Sequence, residues 1–310
     1  MYNYSKNEMT KVAYYYYKLG MTQGEIATKM SMSRQRVNRI LKKALEENIV
    51  QIHIVDIDKY NVELESQLEN KFNLAQCVVV SAIDEKDILP SLGAAGAEYL
   101  ESILKNDDLI GVTWGKTLSE VAKSLKENKS LNVSVVQLVG GSNAIYPSLK
   151  PDVIATTIAR KLGGRSYILY APAIVESKET KEAIMSDSSI KATFEKMDEC
   201  NIILAGIGEI KVDSAYYEFA YDREYKDNLL SLNSVGDIGF RWFDIDGNIV
   251  DHDYDDKTIG YNILSRNTDA LVIAIAGGKE KKDAILGALR GKFIDVLITD
   301  SQTAELLLIS

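Results

Sequence analysis

From residue 76 onward, short and nearly continuous apolar runs alternate with longer stretches whose apolar residues recur at helical spacing, and few folds accommodate that alternation. Runs at 77–81, 109–113, 133–139, 166–169, 201–205, 270–276 and 295–299 read as strands. Between several of them, 90–104, 118–126, 153–162 and 281–289 read as amphipathic helices. Strands that are apolar on both faces need cover on both, so the pattern predicts a Rossmann-like α/β domain with a mostly parallel sheet. Asp246-Gly247, set between Phe243-Asp244-Ile245 and Asn248-Ile249-Val250, adds a hairpin turn.

Four of the strands run into glycine-rich or polar turns: Gly111-Val112-Thr113-Trp114-Gly115-Lys116-Thr117, Gln137-Leu138-Val139-Gly140-Gly141-Ser142-Asn143, Ala205-Gly206-Ile207-Gly208-Glu209 and Ala276-Gly277-Gly278-Lys279-Glu280-Lys281. In a parallel sheet the strand C-termini share one edge, so all four turns can meet at one crevice. Glycines let backbone approach a ligand, and helix N-termini direct N–H groups at anions. Lys116 and Lys281 would suit a phosphate. Any one turn has a plain structural reading, since glycine ends many strands; together the four predict a ligand site.

The two ends of the chain differ in charge. Residues 1–45 hold nine Lys/Arg against Glu8 and Glu25, a local +7, so the other 265 residues carry −16 of a net −9. A basic end on an acidic body suits a module that meets phosphate. Within it, 10–19 reads as a helix carrying Val12, Ala13, Tyr16 and Leu19, ended by Gly20. Thr22 caps a second, short helix, with Glu25 completing a capping box and Ile26, Ala27 and Met30 facing inward. After Ser31-Met32-Ser33, Ser33 caps a third helix running from Arg34 to about Glu47, with Val37, Ile40, Leu41 and Ala44 as its apolar stripe.

Two short helices joined by a tight turn form a helix-turn-helix, although Ser31 stands where such turns often have glycine. Thr22, Gln23 and Ser33 at the helix starts, and Arg34, Gln35, Arg36, Asn38 and Arg39 beyond, are the candidate contacts to double-stranded DNA. The alternation Val50-Gln51-Ile52-His53-Ile54 predicts a small wing, which makes the first domain an all-α winged helix-turn-helix. A bundle with a merely solvated charged face is the plainer alternative, and three arginines within six residues argue against it. The tetrad Tyr14-Tyr15-Tyr16-Tyr17 reads as partly core and partly helix surface.

Leu64, Leu68 and Phe72 make 60–72 an amphipathic helix, packed either on its own domain or on a partner's helix. At 310 residues two domains are expected: 1–58 for DNA, 59–75 as a linker helix, and 76–310 for the ligand. Helix-turn-helix modules usually read paired half-sites, which favours a homo-oligomer, dimer or tetramer. No apolar run approaches the roughly 20 residues of a membrane span, and the N-terminus lacks a signal-peptide plan, so a cytoplasmic chain without membrane partners is expected. Cys77 and Cys200 each sit beside an apolar run and read as reduced, buried small hydrophobes. Asp244, Asp246 and Asn248 fail as a calcium loop, because the glycine comes too early and the closing glutamate is missing. Asp251-His252-Asp253-Tyr254-Asp255-Asp256 has ligand-type side chains but reads as a solvated loop, so neither metal nor cofactor is expected.

On these stretches the chain resembles the SorC family of sugar-binding regulators. The matching segments are the helix-turn-helix at 23–41, the turns beginning at Gly111 and Gly277, Val135-Val136-Gln137-Leu138-Val139-Gly140-Gly141, Val235-Gly236-Asp237-Ile238, Thr258-Ile259-Gly260 and Leu297-Ile298-Thr299-Asp300. The resemblance implies an effector domain similar to ribose-phosphate isomerases and glucosamine-phosphate deaminases, a sugar or sugar-phosphate effector, and an oligomer. It places effector contacts on Thr113, Gly115, Lys116, Thr117, Gln137, Gly140, Gly141, Asp237 and Lys281, to which the turns add Trp114, Gly206, Gly208 and Gly278. Some relatives carry a lysine before the paired glycines; here Val139 cannot form an imine, which argues against a covalent aldehyde effector there. The alternative is a sugar-phosphate isomerase or deaminase with an appended helix-turn-helix. It would need a general base such as Asp237 or Glu209, and neither belongs to a recognisable catalytic set.

Overall fold

Ser5 caps the first helix: its hydroxyl accepts the Glu8 N–H at 3.1 Å and starts α1 (Lys6–Ala13), four residues before the start expected from the apolar spacing. The buried Met9 explains the difference, since it extends the inner face toward the N-terminus. The computed structural model describes residues 4–51, 59–81, 84–141, 149–210, 223–250, 255–266 and 268–310. The chain divides into two units, Met1–Lys59 and Tyr60–Ser310.

In the first unit α1 passes into a π-helical turn (Tyr14–Lys18) that leaves Tyr14, Tyr16 and Tyr17 exposed, and Gly20 closes it at φ +64°. Helix α2 (Gln23–Lys29) has the capping box in full, with Thr22 and Glu25 bonded reciprocally. Helix α3 (Arg34–Glu46) is capped by Ser33, whose hydroxyl accepts the Arg36 N–H. Val12, Ile26, Val37, Ile40 and Ala44 form the centre of the core that joins the three. Ser31 adopts φ +52°, the left-handed conformation that explains why glycine is common at this turn. Most of the expected wing lies outside the described residues.

The second unit contains strands β1 (Gln76–Val80), β2 (Leu109–Val112), β3 (Val133–Gln137), β4 (Gly163–Tyr167), β5 (Ile202–Ala205), β6 (Gly208–Glu209), β7 (Ser234–Ile238), β8 (Arg241–Asp244), β9 (Leu271–Ile275) and β10 (Val296–Asp300). Seven of them form one parallel sheet in the order β1-β10-β9-β5-β2-β3-β4. Alternate residues of each strand enter different cores. Ile202, Leu204, Ile273, Ile275, Val296 and Ile298 pack with α5 (Glu85–Ile103), α6 (Lys116–Ser124) and α7 (Pro151–Leu162). Ile203, Ala205, Val272, Ala274 and Leu297 pack with α9 (Ser188–Asp198), α11 (Lys282–Arg290) and α12 (Ser301–Leu308), and α8 (Lys178–Ser186) directly precedes α9. This double burial is why the strands read as unbroken apolar runs.

Strands β6, β7 and β8 form a small antiparallel sheet behind α10 (Arg223–Ser231), and Gly247 at φ +82° makes the turn after β8.

Helix α4 (Lys59–Phe72) packs on its own unit: Leu64 and Leu68 are buried in the core, beside Cys77 and Val79. Its polar side chains bind as well. Glu69 Oε1 accepts the Cys77 N–H and Glu65 Oε1 the Val79 N–H, each at 2.8 Å. Lys71 Nζ donates to the carbonyls of Leu307, Leu308 and Ser310. Limited proteolysis should therefore release 1–58 as one fragment and leave α4 on the other. A cut at 72–76 is not expected, because the Ala75 N–H is bonded to Asp295 O at 2.8 Å and α4 is held along its length. Mass spectrometry of the fragments checks this; a stable core beginning near residue 76 would contradict it.

Both cysteines are free and buried. Burial pushes the Cys77 thiol up, with Glu65 and Glu69 adding to it, and raises Cys200 to about 12, so neither is a reactive thiolate.

Candidate functional site

The C-terminal ends of β2 and β5, the antiparallel pair β6 and β7 and the start of α11 surround a crevice of about 180 Å³. Thr113 to Thr117, Gly206, Gly208, Asp237 and Lys281 all line it, joined by Ile207, Glu209 and Gly239. Thr113 is buried, and its hydroxyl accepts the Gly206 N–H at 3.2 Å, tying two strand ends together at the rim. Gly115 sits at φ +118° with no side-chain cap on α6, so the first N–H groups of that helix have no partner within the helix and a glycine-lined approach to them. Trp114 stacks on Phe240 with centroids 4.7 Å apart, walling one side.

Charge is balanced across the crevice. Lys281 Nζ donates to Ile207 O at 2.7 Å. Burial pushes its ammonium below the ordinary lysine range; Glu209, Asp237 and Glu280 oppose this, and Lys116 adds to it. Asp237 is buried and accepts the Phe240 N–H at 2.9 Å, which fixes the hairpin tip at Gly239. Two lysines, Lys116 and Lys281, with hydroxyl-accepting carboxylates beside a helix N-terminus can hold a small polyhydroxylated anion.

Four other sequence candidates do not line this crevice. Gln137 is buried with its amide donating to Val139 O at 2.6 Å. Gly140 is needed for close packing, since a Cβ there would lie 2.5 Å from the Pro172 carbonyl and the Ala173 nitrogen. Gly141 exchanges backbone hydrogen bonds with Ala171 and Ala173. Gly278 gives its N–H to Asp300 and Thr303. Val139 is fully buried. Ile207 and Glu209 lie within the turn 205–209 that the sequence marks, whereas Gly239 joins the lining without a signal of its own, two residues after Asp237. Of the acidic loop, 251–254 lies outside the described residues; Asp255 pairs with the buried Arg241 at 2.9 Å and Asp256 with Lys178 at 3.2 Å.

In the first unit Arg34, Gln35, Asn38, Arg39 and Lys42 are exposed along one side of α3. Arg34 shares a groove with Tyr16 and the α2 start, including Thr22 and Gln23. Arg36 is drawn inward instead: its guanidinium bonds Glu8 at 2.9 Å and lies over the Tyr4 ring. Ser33 and Thr22 spend their hydroxyls on capping.

Comparison with known proteins agrees with this layout. Residues 59–309 match the sugar-binding domain family, and residues 7–47 match region 4 of sigma-70. The sorbitol operon regulator of Klebsiella pneumoniae is 32% identical over 305 residues, covering 97% of each chain. The chain belongs to the SorC family of sugar-binding transcriptional regulators. The full-length crystal structure of the Klebsiella SorC superposes with a TM-score of 0.77 over 99% of this chain and 100% of that one. A second relative, the deoxyribonucleoside regulator of Bacillus subtilis, is also 32% identical, over 94% of each chain. A DeoR family regulator from Listeria monocytogenes, 27% identical, matches 80% of this SorC-family chain with a TM-score of 0.73, covering 100% of its own.

Proposed function

We propose that the crevice binds a small sugar, best a sugar phosphate, and that its occupancy sets whether a homo-oligomer of the chain holds operator DNA through α3. The observation that carries this is the meeting of Lys281, Glu209 and Asp237 with the uncapped start of α6 in one small crevice. Phosphate belongs at the α6 N–H groups and the Lys281 ammonium, and sugar hydroxyls at the two carboxylates. For regulation the ligand must bind one arrangement of the oligomer more tightly than the other. Relatives named for sorbitol and deoxyribonucleosides support a carbohydrate-related effector. Titrating the full-length protein with ribose and glucosamine phosphates, while assaying for product, tests the reading. Saturable binding without turnover supports a regulator, and steady turnover would favour the enzyme.

On the DNA side, Arg34, Gln35, Asn38 and Arg39 are the base-facing set, and Arg36 holds α3 against α1. Gln35→Ala should cost roughly 1–3 kcal/mol of preference at one base pair per half-site. Lys42→Ala should weaken operator and random DNA alike and flatten the salt dependence by about one ion. Fluorescence anisotropy across a salt series checks both; equal operator and random-DNA affinities for Gln35→Ala and the parent protein would remove this face from the interface.

A further inference from the structure

Asp300 ends β10 inside the protein, only 1% exposed, and its carboxylate gathers three donors. Its Oδ2 accepts the Gly278 N–H at 2.7 Å and the Thr303 hydroxyl at 2.6 Å, and its Oδ1 accepts the Thr303 N–H at 3.0 Å. The Thr303 bonds cap α12. The Gly278 bond reaches across to the turn after β9. Gly277 has no side chain there for a reason: a Cβ would stand 2.5 Å from Asp300 Oδ2. Gly278, held at φ +99°, in turn accepts the Lys281 N–H at 2.9 Å and closes the single turn Lys279–Lys281. The backbone of Lys281 is thus referenced to Asp300 through two hydrogen bonds, and its ammonium projects into the crevice onto Ile207 O.

We infer that Asp300 is a positioning residue for the effector site: its buried carboxylate fixes the Gly277-Gly278 turn and thereby sets the Lys281 ammonium against the α6 N-terminus. The inference rests on the effector-site reading above for its ligand, but the placement of Lys281 can be measured without one. A carboxylate is needed because three donors converge on it. An asparagine has one oxygen and would turn an NH₂ toward donors, so either the turn or the α12 cap loses its acceptor. Lys281 would then leave Ile207 and reach water, away from Glu209 and Asp237 and from the like charge of Lys116.

The test uses the full-length protein and its Asp300→Asn and Thr303→Val variants. Trace labelling of lysines with acetic anhydride across a pH series, read peptide by peptide, gives the titration midpoint of each amine. In the parent protein Lys281 should titrate below the ordinary lysine range, and in Asp300→Asn it should move up toward that range. Thr303→Val keeps the Asp300 carboxylate and loses one acceptor of the Gly278 N–H, so it should shift Lys281 the same way by less; it also stands in if Asp300→Asn does not fold. In parallel, inorganic phosphate is titrated against tryptophan emission, since Trp114 lines the crevice. Asp300→Asn should weaken phosphate about tenfold, as expected for a mispositioned charge-assisted hydrogen bond. A merely structural role for Asp300 would lower the unfolding temperature and leave the Lys281 midpoint where it was, and that result overturns the inference. A parent protein that binds no phosphate, yet whose Lys281 moves in Asp300→Asn, would keep the positioning role and overturn the phosphate reading alone.

Discussion

Lys281→Ala is expected to weaken a phosphorylated sugar by roughly ten- to a hundredfold and to leave its unphosphorylated counterpart nearly unchanged. An ammonium carries three donors, and Ile207 O takes one of them. A charge-assisted hydrogen bond from ammonium to phosphate is worth about 1.5–3 kcal/mol, which spans that range of affinity. DNA affinity without ligand should not change, because the substitution lies in the second unit. Calorimetry with a matched sugar and sugar phosphate decides it. An equal loss for both ligands, or none for either, would take Lys281 out of the site.

The largest effect on stability should come from Gly163→Ala. Gly163 follows α7 at φ +82°, a conformation that costs an L-residue about 1–2 kcal/mol. The added Cβ would also stand 2.1 Å from the Lys129 carbonyl oxygen, a backbone atom that can retreat only by moving the turn before β3. Together these should cost at least about 3 kcal/mol and lower the melting temperature by roughly 5–10 °C. Gly141→Ala is the contrasting substitution, because its Cβ would meet nothing nearer than 3.8 Å. Thermal unfolding of the pair should separate them clearly; equal melting temperatures would mean that the clash at Gly163 is relieved at little cost.

The sheet was legible because alternate residues of its strands enter two cores, and that leaves the same signature in any context. The crevice was legible for a topological reason: parallel strands end together, so Thr113–Thr117, Gly206, Gly208 and Lys281 had to be neighbours. Gly140 gave the same signal for a different cause, since tight backbone packing against Pro172 and Ala173 demands a small residue just as a ligand does. Gly141 joins the same segment only through backbone hydrogen bonds to Ala171 and Ala173. Arg36 lies in sequence among the residues proposed for DNA, Gln35 and Asn38, and only folding reveals Glu8, twenty-eight positions away, as its partner. Helices α8 and α9 leave little trace in the sequence because they bury so little: Ile190 and Met197 are their only fully buried side chains among the described residues. Glu65 and Glu69 have the pattern of solvent-facing charges on an amphipathic helix, and nothing local announces that a strand lies beside them.

Those two glutamates have a geometric consequence. Along a strand, N–H groups facing the same way recur every second residue, about 6.6 Å apart. Along a helix, positions four apart are separated by about 6 Å. The near-equality lets α4 run along β1 as a ruler, Glu69 at Cys77 and Glu65 at Val79, each tooth meeting a notch. A single-residue deletion between 65 and 69 would swing one carboxylate about 100° around the helix and leave an edge N–H bare. While the ruler is engaged, the outer N–H groups of Cys77 and Val79 are occupied, and no strand from another copy can add at β1. Any growth of the sheet across a subunit boundary is left to β4, the opposite edge.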